Sequence, residues 1–164
     1  MQRHGIGKEN IMENYMDKYR TPEEFIRAEI SKNNGTRNVV QKKELVEELS
    51  CRTDADLSKL SKVQLFDLLV EKVGNDAYTM FPVGVSSFNF QLKFDIDHTA
   101  VKRLARAGVI HVVAQKRFRA YGRYNYANLY SPWDYFRLTR EEVQNWLEEH
   151  PVRKRRKTDT PASV

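Results

Sequence analysis

The residues of this chain best equipped for chemistry are cations and aromatic rings between positions 98 and 133. From Asp97 the sequence reads DHTAVKRLARAG. On a helical wheel Thr99, Lys102, Arg103 and Arg106 fall on one face, and Val101, Leu104, Ala105 and Gly108 on the other. A helix built this way buries one stripe and offers a mostly cationic one to a polyanion. Asp97 is placed to cap its first turn and Gly108 to end it in a left-handed conformation. His98, at its start, is suited to contact a phosphate or a base edge. A second set comes next, in which Lys116, Arg117, Arg119 and Arg123 are interleaved with Phe118, Tyr121, Tyr124 and Tyr126. Guanidinium groups pair with phosphates, and rings and guanidinium planes stack on bases, so this set also suits single-stranded nucleic acid. Tyr124, Tyr126 and Tyr130 share one face of a strand, and packing of that face on helices is expected. The arginines have no comparable internal use.

The charge distribution supports a polyanionic partner. Residues 1–97 hold 14 Lys/Arg against 16 Asp/Glu, whereas residues 98–133 hold 7 against none, and residues 134–164 hold 7 against 6. The net charge of +6 is thus concentrated behind the start of the basic helix. Other chemistries find less support. His4, His98, His111 and His150 lie far apart with no metal-ligand spacing, and no phosphate-cradling glycine loop or nucleophile elbow is present. Cys51 is the only cysteine, which excludes an intrachain disulfide and a thiolate metal site. Asp54 and Asp56 read as turn and cap residues, since calcium requires more oxygens than they supply. No enzymatic activity, cofactor or metal is expected.

Several elements must position these residues. Ile11, Met12, Tyr15, Met16 and Tyr19 recur at helical spacing over residues 8–19. Thr21-Pro22-Glu23-Glu24 then opens a second helix that buries Phe25, Ile26 and Ile30. These two helices read as a packing or dimerisation element. Leu45, Val46 and Leu49 mark a short helix, Leu57 and Leu60 anchor an extended connection, and Ser61 to Gln64 is a capping box for a helix burying Leu65, Leu68 and Leu69 up to Gly74. Asp76 is placed to cap a short helix before Pro82. The stretch VSSFNFQLKFDID alternates at Phe88, Phe90, Leu92, Phe94 and Ile96, as a half-buried strand would. With Ser86 or Ser87 as an N-cap, the same residues form a helix with Phe90 and Phe94 one turn apart, and Asp95-Ile96-Asp97 becomes a tight turn. Val109 to Val113 has strand propensity, and the residues beyond it fit a hairpin with its tip near Tyr121 to Arg123. Ser131-Pro132 and Thr139 to Glu142 open two last helices, the second carrying Val143, Trp146 and Leu147 inward as far as Pro151. The terminal stretch, with five consecutive cations from Arg153 to Lys157, is expected to be disordered.

Two resemblances emerge from these residues. The segment from Val39 to Gly74 resembles the helix-extended-loop-helix modules of the SAP and LEM families, which bind DNA or, in some members, protein through the loop and the start of the second helix. The resemblance implicates Lys59, Ser61 and Lys62, although Asp54 and Asp56 place negative charge in the same loop. The order SSFNFQLKFDIDHTAVKRLARAG is similar to the bacterial and phage helix-turn-helix pattern, with Phe94, Ile96, Asp97, Val101, Arg103, Leu104 and Gly108 in matching positions. Asp95 stands where that family prefers glycine, which Asp tolerates better than most residues, and Gln91 where it prefers a small residue. With the strand and hairpin behind it, the order is that of a winged helix, and the closing helices resemble those of winged-helix proteins related to phage excisionases and MerR-type regulators.

The expected fold is therefore mainly α: N-terminal helices over 1–37, a SAP/LEM-like module over 38–75, a winged helix-turn-helix domain with a two- or three-stranded β wing over 76–150, and a basic tail over 151–164. The resemblance implies a double-stranded-DNA-binding regulator or accessory factor of a phage or mobile element, with His98, Thr99, Lys102, Arg103 and Arg106 facing the groove and Lys116, Arg117, Arg119 and Arg123 on the backbone. The other reading is a phage-encoded inhibitor or adaptor that turns the basic surface on an acidic protein. Homodimerisation through the N-terminal helices fits either. No apolar run is long enough for a membrane span or a signal peptide core, so a cytoplasmic, nucleoid-associated protein is expected, or a nuclear one in a eukaryotic host.

Overall fold

Local capping chemistry sets most of the helix boundaries in the computed structural model, which describes residues 14–32 and 40–152. Thr21 accepts from the Glu24 amide and starts α1 (Pro22–Ile30). Gln41 and Glu44 form a capping box for α2 (Lys42–Ser50), and Ser61 and Gln64 do the same for α3 (Lys62–Val73). Each box satisfies two backbone amides that a helix start leaves without partners. α4 (Asp76–Met80) begins after Asn75, so Asp76 is its first helical residue and not its cap. α7 (Pro132–Arg137) is capped by Ser131, and α8 (Arg140–Glu149) by the box of Thr139 and Glu142.

Between α4 and α7 lie β1 (Val85–Ser86), α5 (Ser87–Phe94), α6 (His98–Arg106), β2 (Val112–Ala120) and β3 (Arg123–Tyr130). The strands form one antiparallel sheet in the order β1-β3-β2, with β1 paired through Val85 to Tyr130 and Ser86 to Leu129. The protein is thus mainly helical with a small three-stranded antiparallel sheet. Its buried apolar residues form a single cluster running from Met16 in the N-terminal segment to Val143 in α8. At roughly 1.5–3 kcal/mol for each fully buried large apolar side chain, that cluster is the main favourable term in folding.

The stretch before Asp97 is a helix. Ser86 accepts from the Asn89 amide, and Phe90 and Phe94 lie on the buried face one turn apart. The alternation that also suits a strand is defeated by Phe88, which is 57 % exposed on the opposite side. Elsewhere the helical spacing over 8–19 overreaches. Residues 8–13 fall outside the described residues, and Tyr15–Lys18 is a single 3-10 turn capped by Asn14. The strand expected from Val109 starts at Val112, because the amides of Val109 and Ile110 are turned back onto the carbonyl of Leu104. The basic tail from Arg153 also lies outside the described residues.

Candidate nucleic-acid interface

The turn between α5 and α6 is fixed from both sides. Asp95 adopts φ 56°, the left-handed conformation that a glycine would take at no cost, and the Ile96 amide donates back to the Gln91 carbonyl at 3.2 Å. The last carbonyls of α5 are satisfied from α8: Gln144 donates to those of Phe94 and Asp95 at 2.9 and 3.3 Å, and Arg140 to that of Lys93 at 3.0 Å. Lys93 itself folds under this corner, its ammonium donating to the Tyr135 carbonyl 4.5 Å from the centre of that ring. Burial lowers its pKa, and Asp17 draws it partly back up. These supports hold the angle at which α6 leaves the helical body. Nothing in the sequence periodicity marked Gln144 or Lys93 for the task.

α6 starts at Asp97, whose carboxylate accepts from the Ala100 amide at 2.8 Å. It ends in a Schellman motif: Gly108 takes φ 82°, its amide donates to Ala105, and the Val109 amide donates to Leu104 at 2.9 Å. Ala100, Val101 and Leu104 are buried, while His98, Thr99, Lys102 and Arg106 are exposed. His98 is not wholly free, because Nδ1 lies 2.8 Å from the Ser87 hydroxyl. That contact brings the starts of α5 and α6 side by side. Arg103 departs from expectation: its guanidinium donates to the carbonyl of His150, tying α6 to the end of α8. Its first task is thus structural.

β2 and β3 form a long hairpin, paired from Val112–Tyr130 out to Ala120–Arg123 with an irregularity between Val112 and Ala114. Tyr121 and Gly122 make its two-residue tip with φ 52° and 78°, the conformation of the turns that match strand twist. Register places Arg117 opposite Tyr126 and Arg119 opposite Tyr124 on one face. Both guanidinium groups lie over the Tyr124 ring, 4.4 Å from its centre for Arg117 and 5.6 Å for Arg119. Lys116, Arg119 and Arg123 are exposed. The expectation that Tyr124, Tyr126 and Tyr130 pack on the helices holds only for Tyr130. Its ring meets Phe90, whereas Tyr126 is exposed and Tyr124, half exposed, lies under the guanidinium groups of Arg117 and Arg119. Among the described residues, no ion pair involves a cation of α6 or the hairpin.

The helix-loop-helix of α2 and α3 keeps one of its two expected contact lysines on the surface. Lys59 is exposed, but Lys62 is 8 % exposed, its ammonium donating to the carbonyls of Lys32 and Val40, the latter at 2.8 Å. The ammonium is thus engaged by one carbonyl just after α1 and one just before α2, and burial lowers its pKa. Asp56 accepts from the amide and hydroxyl of Ser58, as a turn residue does. His111 lies 2.8 Å from the buried carboxylate of Asp134, which also accepts from Arg137 on its own helix, so the His111–Asp134 contact ties the residue before β2 to α7. Among the described residues, no cluster of His, Cys, Asp and Glu is arranged to hold a metal ion, and no helix is long and apolar enough to cross a membrane. Comparisons with protein-family models, curated proteins and solved structures give no match.

Proposed function

We propose that the chain is a DNA-binding protein of winged helix-turn-helix type, in which α5 and α6 are the two helices and the hairpin of β2 and β3 is the wing. The observation that carries this reading is electrostatic. Residues 98–133, which contain no Asp or Glu, span α6, the hairpin and the first turn of α7, and Lys102, Arg106, Lys116, Arg119 and Arg123 among them are exposed and, among the described residues, without carboxylate partners. Cations without carboxylate partners on two successive elements of the chain attract a phosphate backbone and release its counterions. In this arrangement α6 enters the major groove, with His98, Thr99, Lys102 and Arg106 toward base edges and phosphates, and the wing lies along the flanking backbone. Arg103 reaches DNA only by giving up its bond to His150. A role as a transcriptional regulator or accessory DNA-binding factor of a phage or mobile element follows from the resemblance in its helix-turn-helix segment.

A mobility-shift titration with random-sequence duplex across a salt series tests the proposal. The logarithm of affinity should fall linearly with the logarithm of salt, at about −0.9 per neutralised phosphate. Changing Lys102 and Arg106 together to Ala should weaken binding and reduce that slope by about two contacts' worth. No binding at low salt would sink the proposal and favour an acidic protein as the partner.

A further inference from the structure

The outer half of the hairpin carries more aromatic surface than phosphate contact requires. Tyr130, Tyr126 and Tyr124 share one face of β3, yet exposure rises from 2 % at Tyr130 to 62 % at Tyr126 and 49 % at Tyr124. Tyr121 at the tip is 100 % exposed and holds φ 52°. The left-handed region disfavours a bulky side chain, and Asn or Gly would make the same turn without strain. A ring with no buried surface recovers none of that cost within the fold.

The spacing of the rings selects a ligand. Tyr124 and Tyr126 are two residues apart on one strand, about 6.6–6.8 Å at the usual rise. Bases stacked in a duplex succeed one another at about 3.4 Å along each strand, so neighbouring bases cannot each meet a ring while they remain stacked. Unpaired nucleotides can spread to that spacing, and each base has a π face to stack. Arg117 already lies 4.4 Å over Tyr124, so a guanidinium plane extends the ladder and neutralises phosphate at the same place. With no acidic residue from 98 to 133, nothing in this segment repels a polyanion.

We propose that Tyr121, Tyr124 and Tyr126, with Arg117 and Arg119, bind a short run of unpaired nucleotides beside the duplex held by α6, making a duplex with a single-stranded extension the preferred ligand. This rests on the DNA-binding reading above. The test compares the full chain's affinity for a blunt duplex and for the same duplex carrying a short thymidine extension, by fluorescence anisotropy at fixed salt. Stacking typically contributes roughly 5- to 150-fold per base, so the extension should raise affinity at least about 5-fold. Tyr121→Ala with Tyr126→Ala should bring the ratio of the two affinities close to one, whereas Tyr121→Phe with Tyr126→Phe should preserve it. A gain that survives in the alanine variant comes from added phosphates and overturns the proposal. Equal affinity of the wild-type chain for both ligands overturns it too, and leaves the duplex-binding reading standing. Failure to bind either ligand overturns both.

Discussion

Asn89 donates through its side-chain amide to the Oδ1 of Asn14 at 2.9 Å, across 75 residues of sequence. Both residues are buried, and Asn14 also donates to the Tyr135 hydroxyl at 2.8 Å. Ser86, the cap of α5, donates to Asn89 at 2.7 Å. A polar chain thus pins the N-terminal segment to α5 and α7 where purely apolar packing would allow it to slide. Removing one member leaves buried groups without that partner. Asn14→Ala should therefore cost about 1–3 kcal/mol in denaturant unfolding, with the slope unchanged. A loss within a few tenths of a kcal/mol, the size expected of surface changes, would show that the chain is not satisfied as described.

Lys62 and Lys102 look alike in sequence but should behave oppositely. Lys62→Ala leaves the carbonyls of Lys32 and Val40 without their charged donor and should destabilise the fold by about 1–3 kcal/mol. It should leave the salt dependence of DNA binding unchanged. Lys102→Ala, on the exposed face of α6, should alter stability by less than about 0.5 kcal/mol and reduce the salt slope by about 0.9. Paired unfolding and binding titrations separate the two, and a reduced salt slope for Lys62→Ala would return that residue to the interface.

Alkaline pH should destabilise the protein through Tyr135 and through Tyr15, whose phenol burial likewise pushes up to about 12. Burial is the main cause that pushes the Tyr135 phenol from 10.0 up to about 12, while the bond from Asn14 pulls it back and the charge of Asp17 adds to the rise. A folded-state pKa above the unfolded one means that the stabilisation is complete below pH 10 and is lost as pH rises from 10 towards 12. That shift corresponds to roughly 3 kcal/mol at most. Lys62 and Lys93 run the other way: burial lowers their pKa values, so their contribution improves as pH rises towards the ordinary lysine value of 10.5. Tyr135→Phe should start out less stable, through the lost bond, yet decline less between pH 10 and 12. Parallel declines in the two proteins, monitored by circular dichroism, would show that Tyr135 is not the group responsible.

The parts of this architecture legible in sequence are those written in adjacent residues. Thr21, Ser61, Asp97, Ser131 and Thr139 each cap the helix expected of them, because a capping bond reaches only two or three residues ahead. The helix at Ser87–Phe94 is legible only as one of two readings, because the alternation from Phe88 to Ile96 also suits a strand, and the Ser86 cap favours the helix. Legibility ends where burial depends on distant partners. Lys62 is a helix-start cation by sequence and an interior donor by virtue of Lys32 and Val40. Arg103 is on the polar stripe of α6, yet it meets the end of α8. Tyr124 and Tyr126 obey the alternation that buries Tyr130, but how far a hairpin extends past its helices is not encoded in alternation.

Gly84 offers a test of how the sheet delivers the chain to α5. A Cβ there would lie 2.4 Å from Leu129 Cβ, 3.0 Å from the Leu129 carbonyl carbon and 3.1 Å from Val113 Cγ2, closer than packed atoms tolerate. β1 is only two residues long and pairs with β3 at Val85–Tyr130 and Ser86–Leu129, so it cannot absorb the displacement along its length. Gly84→Ala should push β1 off β3, shift the Ser86 cap and destabilise the protein by about 1–3 kcal/mol, as overpacking does elsewhere. Leu129→Gly removes the nearest atom, so the double variant should be more stable than the sum of the single losses predicts, by at least about 0.5 kcal/mol. Additive losses would mean that the two positions do not touch. Because Ser86 starts the helix whose far end orients α6, affinity for duplex should fall in the single variant and recover in part in the double one.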